Sequence, residues 1–169
     1  MKILYAPWRE DYATSTAPGP QGQEGISEKE CVFCTQLHLD NEQVFILKRC
    51  KSSYIMLNRY PYNAGHLLIL PFSHTAHLED LPLESRNELI HLATESTIIL
   101  KKELKAQGVN IGLNLGKAAG AGIPAHLHMH ILPRWQGDTN FLPTLAETKQ
   151  VSTDLSKLYK TLRPFFEKI

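Results

Sequence analysis

Short apolar runs separated by turn residues make up the middle of the chain. Runs of this length that are rich in β-branched and aromatic residues predict β-strands. Five such runs lie at 44–47, 53–57, 66–70, 109–115 and 126–132. Turn-forming residues separate them: a turn is expected near Cys50 and Lys51, a Pro/Asn/Gly loop at 58–65, and a Gly/Ala loop at 116–122.

Two other segments have the spacing of amphipathic helices. Between 84 and 107 the apolar residues recur every three or four positions, at Leu89, Leu92, Ala93, Ile99, Leu100 and Leu104. Gly108 is expected to end this helix, and a second helix is predicted at about 154–166. Strands joined by short links favour antiparallel pairing, so the pattern predicts an α+β fold.

The first 30 residues differ in composition from the rest. Residues 13–30 contain two Pro and three Gly but only one large aliphatic side chain, Ile26. Such a segment buries too little apolar surface to offset the entropy lost on ordering it. We therefore expect a partly mobile N-terminal extension at 1–30 and a single domain at 31–169.

Charge and cysteine content narrow the functional classes. The 169 residues carry 18 Lys and Arg against 17 Asp and Glu, a net charge of +1, which argues against a nucleic-acid-binding or polybasic membrane-binding protein. No apolar run approaches the roughly 18 residues of a membrane span, and the N-terminus does not resemble a secretory signal. Three cysteines, two of them close together, fit a reducing compartment, so a cytoplasmic protein is expected.

The segment His126-Leu-His-Met-His-Ile-Leu132 carries the candidate chemistry. Side chains alternate across a strand, so His126, His128 and His130 should share one face while the apolar residues between them pack into the core. Three neighbouring imidazoles cannot all be protonated without strong repulsion, so at least one should be neutral near pH 7. The residues alone also allow a half-exposed polar face or a catalytic metal site.

This segment resembles the motif of the histidine-triad superfamily. Three other segments are similar to the same family: NRYPYNAGHLLILP at 58–71, NIGLNLGKAAG at 110–120, and PRWQGDTNF at 133–141. They are most similar to bacterial diadenosine tetraphosphate phosphorylases and the fragile-histidine-triad branch. The resemblance covers about 31–142 and implies a HIT-like fold: a five-stranded antiparallel sheet with one long and one C-terminal helix, usually in a homodimer.

The resemblance also implies a mechanism. His128 would be the nucleophile that attacks an α-phosphorus, and water or orthophosphate would then resolve the nucleotidyl-histidine. His130 would contact phosphate, and His66 would lie beside the site. Asn58 would bind the ribose, and Asn114 a phosphate or the ribose.

Glycines of the 116–122 loop, Gly120 and Gly122 among them, would let the backbone approach phosphate oxygens. From the residues alone, turn capping is the alternative explanation of Asn58, edge-strand polarity that of Asn114, and a plain hairpin turn that of the loop. Many relatives place Gln, Ser or Thr shortly before the first histidine. Here Gly122 and Ile123 stand there, which leaves leaving-group selectivity open.

Cys31-Val-Phe-Cys34 has the spacing of a zinc knuckle, although a redox pair or two buried small residues would look the same. The family resemblance implies a structural zinc site made by Cys31, Cys34, His74 and His126. His77 is the competing third ligand, and no organic cofactor is expected.

The predicted function is that of a nucleotidyl transferase or hydrolase that cleaves dinucleoside polyphosphates, with phosphorolysis favoured. A dinucleoside polyphosphate hydrolase and a nucleoside phosphoramidase are the alternatives within the family. A nucleotide-binding regulator without turnover is the alternative from another class.

Overall fold

The computed structural model describes residues 27–139 and 153–169, and a single antiparallel sheet organises them. The five strands follow the order β1-β2-β3-β5-β4 across the sheet. Their bounds are β1 Ile46–Arg49, β2 Ser53–Leu57, β3 Leu67–Pro71, β4 Gly108–Leu113 and β5 Met129–Arg134. The helices are α1 Val32–Gln36, α2 Asn41–Val44, α3 Leu83–Glu103 and α4 Leu155–Phe166, with a 3-10 turn at Lys117–Ala119. The α+β prediction is thus confirmed, with one long and one C-terminal helix.

The main core lies between the sheet and the two longer helices. Leu92 and Leu100 of α3 and Phe166 of α4 pack with the inward side chains of the strands, among them Ile69 and Ile131. These five residues are at most 2% exposed. Apolar side chains at helical spacing on α3 meet apolar side chains at alternate strand positions, which is how the two periodicities form one core.

The opposite face of the sheet carries a smaller apolar cluster. Tyr54 and Leu68 of the strands pack there with Cys31, Phe33 and Cys34 of the α1 segment. This packing places the two cysteines of the Cys-x-x-Cys motif against the sheet face that receives the histidines.

Several element boundaries differ from the sequence prediction, and three of these differences have an identifiable cause. Val44 ends a short helix and Phe45 has a left-handed backbone (φ 59°), so β1 begins two residues later than predicted. The long helix ends at Glu103 because Lys105, also left-handed (φ 54°), turns the chain toward β4. The last strand begins at Met129, so His126 and His128 precede it.

The late start of β5 is explained by contacts at the end of β3. Pro71 at the end of β3 has no N–H to continue the ladder, and its carbonyl is taken by the side chain of His126 (Nε2 to O, 3.0 Å). The chain instead leaves the ladder, and the Leu127 N–H donates to the Thr75 carbonyl (2.7 Å).

The predicted extension at 1–30 lies almost wholly outside the described residues; Ser27 to Glu30 are exposed. Within 27–139 and 153–169, no helix has both the length and the hydropathy that a membrane crossing requires.

Candidate active site and metal group

The three histidines and the residues between them face opposite sides of the sheet. Leu127, Met129 and Ile131 belong to the core beneath α3. The rings of His126 and His128 lie 5.5 and 5.4 Å from the ring of Phe33, in the cluster on the other face. The alternation predicted from the sequence is therefore present, even though the first two histidines precede the strand.

His128 is held in an orientation that suits a nucleophile. Its side chain is buried, at 7% exposure, and its Nδ1–H donates to the His126 carbonyl at 2.8 Å. The proton of the neutral ring is thus on Nδ1, which leaves the lone pair on Nε2. Burial lowers the pKa of His128, so the ring is neutral near pH 7.

His66 and His130 form a directed pair. The Tyr62 N–H donates to His66 Nδ1 (3.1 Å), so this nitrogen carries no proton and the proton lies on Nε2. His66 Nε2 lies 2.9 Å from His130 Nδ1, so His66 donates and His130 accepts. The proton of a neutral His130 ring is consequently on its own Nε2.

The Nε2 atom of His130 is buried and has no hydrogen-bond partner among the described residues. Burial lowers the pKa of His130 to about 4, so the ring is neutral and Nε2 is a donor. A buried N–H without an acceptor costs free energy, and an oxygen of a bound ligand would relieve that cost.

A shallow cavity of about 240 Å³ lies beside this pair, over the edge strand β4. Its wall includes His130, Asn110, Asn114 and the ring of Tyr62. Tyr62 stacks on His130, with ring centroids 5.7 Å apart and an interplanar angle of 18°. Asn114 therefore lies on the same cavity as His130, as a ligand-binding role for it would require.

The other candidate nucleotide-binding residues have different surroundings. Asn58 accepts the Tyr60 N–H at Oδ1 (2.9 Å), and its Nδ2 lies 3.2 Å from His66 Nδ1, so it contacts the imidazole pair. Gly120 has φ +87°, which favours glycine, and its N–H donates to the Lys117 carbonyl within the 3-10 turn. Gly122 is exposed. For Gly120, this backbone geometry already supplies a reason for the residue type.

Four side chains meet at the other end of the histidine segment. The ligand atoms of Cys31, Cys34, His74 and His126 all lie within 4.8 Å of one another. His126 Nδ1 is 3.5 Å from Cys31 Sγ and 3.4 Å from Cys34 Sγ, and His74 Nδ1 is 3.4 Å from Cys34 Sγ. In a tetrahedral zinc site, sulfur and nitrogen ligands are about 3.6 Å apart. His77 lies outside this group and faces Glu79 instead (3.9 Å).

The chemistry of the four residues also suits a metal ion. Burial raises the pKa of the Cys34 thiol to about 12, so without a metal this thiol is protonated at neutral pH. A bound cation would displace that proton and make the sulfur a thiolate ligand. The His126 ring gives Nε2–H to Pro71, so its lone pair is on Nδ1 and faces the sulfurs. A hydrogen bond on the far nitrogen is the usual way in which a metal-binding imidazole is oriented.

Comparison with known proteins agrees with this geometry. A model of the HIT domain matches residues 40–137. The chain belongs to the HIT family. It is 34% identical over 164 residues to a protein named AP-4-A phosphorylase from Mycobacterium tuberculosis, covering 95% of this chain and 84% of the relative.

Two further proteins extend the comparison. A bis(5'-adenosyl)-triphosphatase of Saccharomyces cerevisiae is 33% identical over 99 residues, which are 58% of this chain and 47% of the yeast protein. The crystal structure of a zinc-bound histidine triad family protein from Mycobacterium smegmatis superposes with a TM-score of 0.68 at 25% identity, covering 84% of this chain and 96% of that one. The α+β HIT-like fold is therefore established for this chain.

Several residues of this HIT site were not predicted from the sequence. Phe33 packs against two of the histidines, Tyr62 covers the other imidazole pair, and Asn63 is hydrogen-bonded to Asp138 (2.8 Å). Phe33 lies inside the Cys-x-x-Cys motif, which was the only available signal for it. Asn63 and Asp138 were not predicted because an Asn or Asp in a loop is usually explained as a turn former.

Proposed function

We propose that this HIT protein cleaves dinucleoside polyphosphates at an α-phosphate through a nucleotidyl-His128 intermediate, with phosphorolysis favoured. The observation that carries the proposal is the state of His128: a neutral, buried ring whose Nδ1–H is held by the His126 carbonyl. This leaves Nε2 as a lone-pair nucleophile, and covalent catalysis by histidine needs that form of the ring.

In the first step, His128 Nε2 attacks the α-phosphorus and a P–N bond forms. The bond from that phosphorus to the bridging oxygen breaks, and the distal nucleotide leaves with the electron pair. In the second step, an oxygen of orthophosphate attacks the same phosphorus, and the P–N bond breaks with its electrons returning to Nε2. Diadenosine tetraphosphate would give ATP in the first step and ADP in the second.

His130 would stabilise the charge that develops on the phosphate oxygens. Its Nε2–H is buried without a partner among residues 27–139 and 153–169, and a preorganised donor of this kind favours the transition state. His66 would keep that donor in place by occupying His130 Nδ1. We assign the ribose to Asn58, a phosphate or the ribose to Asn114, and phosphate-facing backbone to Gly120 and Gly122.

The share of this chain that each relative matches supports phosphorolysis over hydrolysis. Similarity to the protein named AP-4-A phosphorylase runs over 95% of this chain, whereas similarity to the yeast bis(5'-adenosyl)-triphosphatase runs over 58%. Hydrolysis is the second candidate, since the two reactions differ only in whether water or phosphate attacks the intermediate.

We propose that Cys31, Cys34, His74 and His126 hold a structural zinc ion. Four protein ligands leave no open position, so the ion would cross-link the α1 segment to the histidine segment rather than bind substrate.

We further propose that the protein is a homodimer. Edge strand β4 leaves one side of its backbone unpaired within the sheet, and the apolar side chain of Ile111 on it is 49% exposed. On α3, Ile90 and Ile98 are 60% and 53% exposed. Sedimentation equilibrium of the protein and of an Ile90→Glu, Ile98→Glu variant tests this; a monomeric wild-type protein would refute it.

Product analysis by ion-exchange chromatography tests the proposed reaction. Diadenosine tetraphosphate is incubated with the protein, with and without orthophosphate. We expect ADP and ATP only when phosphate is present. AMP and ATP irrespective of phosphate would establish the hydrolase instead, and an unchanged substrate that nevertheless binds would favour a regulator without turnover.

A further inference from the structure

The Asp138 carboxylate, which no assigned role explains, is the centre of a hydrogen-bond network at the end of β5. Arg134 donates to it through Nε at 2.7 Å and through Nη2 at 2.8 Å, a two-pronged pair. The Trp135 N–H donates to it at 3.1 Å and Asn63 Nδ2 at 2.8 Å. The Asp138 side chain is 7% exposed, so these bonds are largely shielded from water.

Asn63 connects this network to the loop in front of His66. Its Nδ2 also donates to the Pro133 carbonyl (3.1 Å), and its side chain is buried at 8% exposure. The carbonyl of Asn63 accepts the His66 N–H at 3.2 Å. Both the side chain and the main chain of Asn63 are therefore engaged, and the loop is pinned to β5 at this residue.

Tyr62, the residue before Asn63, donates a hydrogen bond that determines which nitrogen of His66 carries the proton. The Tyr62 N–H donates to His66 Nδ1, which keeps the His66 proton on Nε2 and directs it to His130. Asn58 Nδ2 lies 3.2 Å from the same nitrogen and is a second donor, and its side chain is held by the Tyr60 N–H of this loop. If the loop moved, both donors would be displaced, and the His66 proton could move to Nδ1.

We propose that Asp138 is a positioning residue for the reaction: through Asn63 it holds the loop whose Tyr62 N–H selects the His66 tautomer, and so keeps His130 as a phosphate donor. The effect of Asp138 on the reaction rests on the proposed function, whereas its effect on the loop and on the His66 tautomer does not. The hydrogen bonds from Arg134 hold the pKa of Asp138 well below its usual range, so the carboxylate stays an acceptor throughout the neutral range.

The test compares Asp138→Asn with a matched control. Glu167→Gln removes the same kind of charge from a pair of the same spacing, Arg163 Nε to Glu167 Oε1 at 2.7 Å, which is exposed at the C-terminal end of α4. Long-range ¹H–¹⁵N spectra of the histidine rings report which nitrogen of His66 carries the proton. Steady-state kinetics with diadenosine tetraphosphate give kcat and KM, and thermal unfolding gives Tm.

We expect a single Nε2–H form of His66 in the wild type and in Glu167→Gln, and a mixture of both tautomers in Asp138→Asn. In the same variant kcat should fall about tenfold with KM within about twofold, because a misplaced donor weakens the transition state more than substrate binding. A His66 spectrum that is unchanged in Asp138→Asn overturns the proposal, whatever happens to kcat or Tm.

Asn63→Ala is the second variant, for the case that Asp138→Asn does not fold. It leaves the Arg134–Asp138 pair intact and removes both side-chain bonds that pin the loop, to Asp138 and to the Pro133 carbonyl, so the same tautomer mixture is expected. An unchanged His66 spectrum in this variant also overturns the proposal. Because the spectra are recorded without substrate, they remain decisive if the wild-type protein proves to have no turnover, which would refute the proposed function alone.

Discussion

His66 Nε2 lies 2.9 Å from His130 Nδ1, and the direction of this bond is set by the two donors on the far nitrogen of His66, the Tyr62 N–H and Asn58 Nδ2. Two neutral imidazoles in series thus leave one N–H, on His130, for a ligand. The ring of His128 lies 5.0 Å from that of His130 between centroids and has the opposite arrangement. Its Nδ1–H is bonded to the His126 carbonyl, and its lone pair is on Nε2. The site therefore combines one imidazole lone pair, on His128 Nε2, with one N–H donor, on His130 Nε2.

Replacing His128 by alanine should abolish turnover and spare most of the binding. In the proposed mechanism the His128 ring forms the P–N bond, so kcat should fall about a thousandfold or more, while the affinity for a non-cleavable dinucleotide measured by calorimetry changes little. His91→Ala, an exposed histidine on α3, is the matched control and should retain full activity. Residual turnover near the wild-type rate in His128→Ala would assign the nucleophile elsewhere.

Stability should fall as the pH is lowered from about 6.5 to about 4. Burial lowers the pKa of His130 from 6.5 to about 4, so in that interval the unfolded chain binds a proton that the folded protein does not, and protonation favours unfolding. Above about pH 6.5 this group has no further effect on the pH dependence. The free energy of unfolding, measured in guanidinium chloride across this range, should have a shallower pH slope in His130→Gln. Parallel curves for the two proteins would contradict the prediction.

Loss of a cysteine from the metal group should remove zinc. We expect about one zinc per chain in the wild type by plasma mass spectrometry and little in Cys34→Ser, with Tm lower by about 10 °C because metal binding is linked to folding. Cys50→Ser is the control, since this half-buried cysteine lies outside the group. Brief treatment with a chelator should leave the wild-type activity intact, because the proposed structural ion would be held by four protein ligands and released slowly; immediate loss of activity would indicate a catalytic metal instead.

Gly65→Ala should destabilise the fold. Gly65 has φ +78°, and a Cβ there would meet Leu104 Cδ1 at 2.6 Å and Pro133 Cγ at 3.2 Å. Backbone strain and overpacking together should cost about 3 kcal/mol. Gly112→Ala, where a Cβ meets nothing within 4 Å, is the control and should change the urea midpoint little. Equal midpoints for the two variants would show that the loop gives way at no cost.

The elements that depend on local periodicity were well predicted from the sequence. Leu127, Met129 and Ile131 enter the core as alternation requires, and the apolar spacing of α3 is that of a buried helix face. The boundary errors have causes that cannot be inferred from residue type. Phe45 and Lys105 are not residues that usually adopt a left-handed backbone. The late start of β5 depends on the capture of the Pro71 carbonyl by a side chain 55 residues away.

Long-range relationships were accessible only through the family resemblance. Nothing in the local sequence indicates that Cys31 meets His126, 95 residues further along. The link between Asn63 and Asp138 was not predicted at all, because each residue has an adequate local explanation as a turn former. Register and side-chain networks across 75 residues follow from the assembled sheet, not from either segment.

His126 contributes two different atoms to the two halves of the site: its ring belongs to the metal group, and its carbonyl anchors the ring of His128. Binding of a metal ion to the four-residue group would therefore affect the orientation of the His128 ring. A chain without the proposed ion would keep the His126 Nε2 bond to the Pro71 carbonyl but lose the constraint on Nδ1. That loss would loosen the peptide that orients His128 and give a folded but poor enzyme. Specific activity should then vary between preparations in proportion to their zinc content, with no change in the amount of protein.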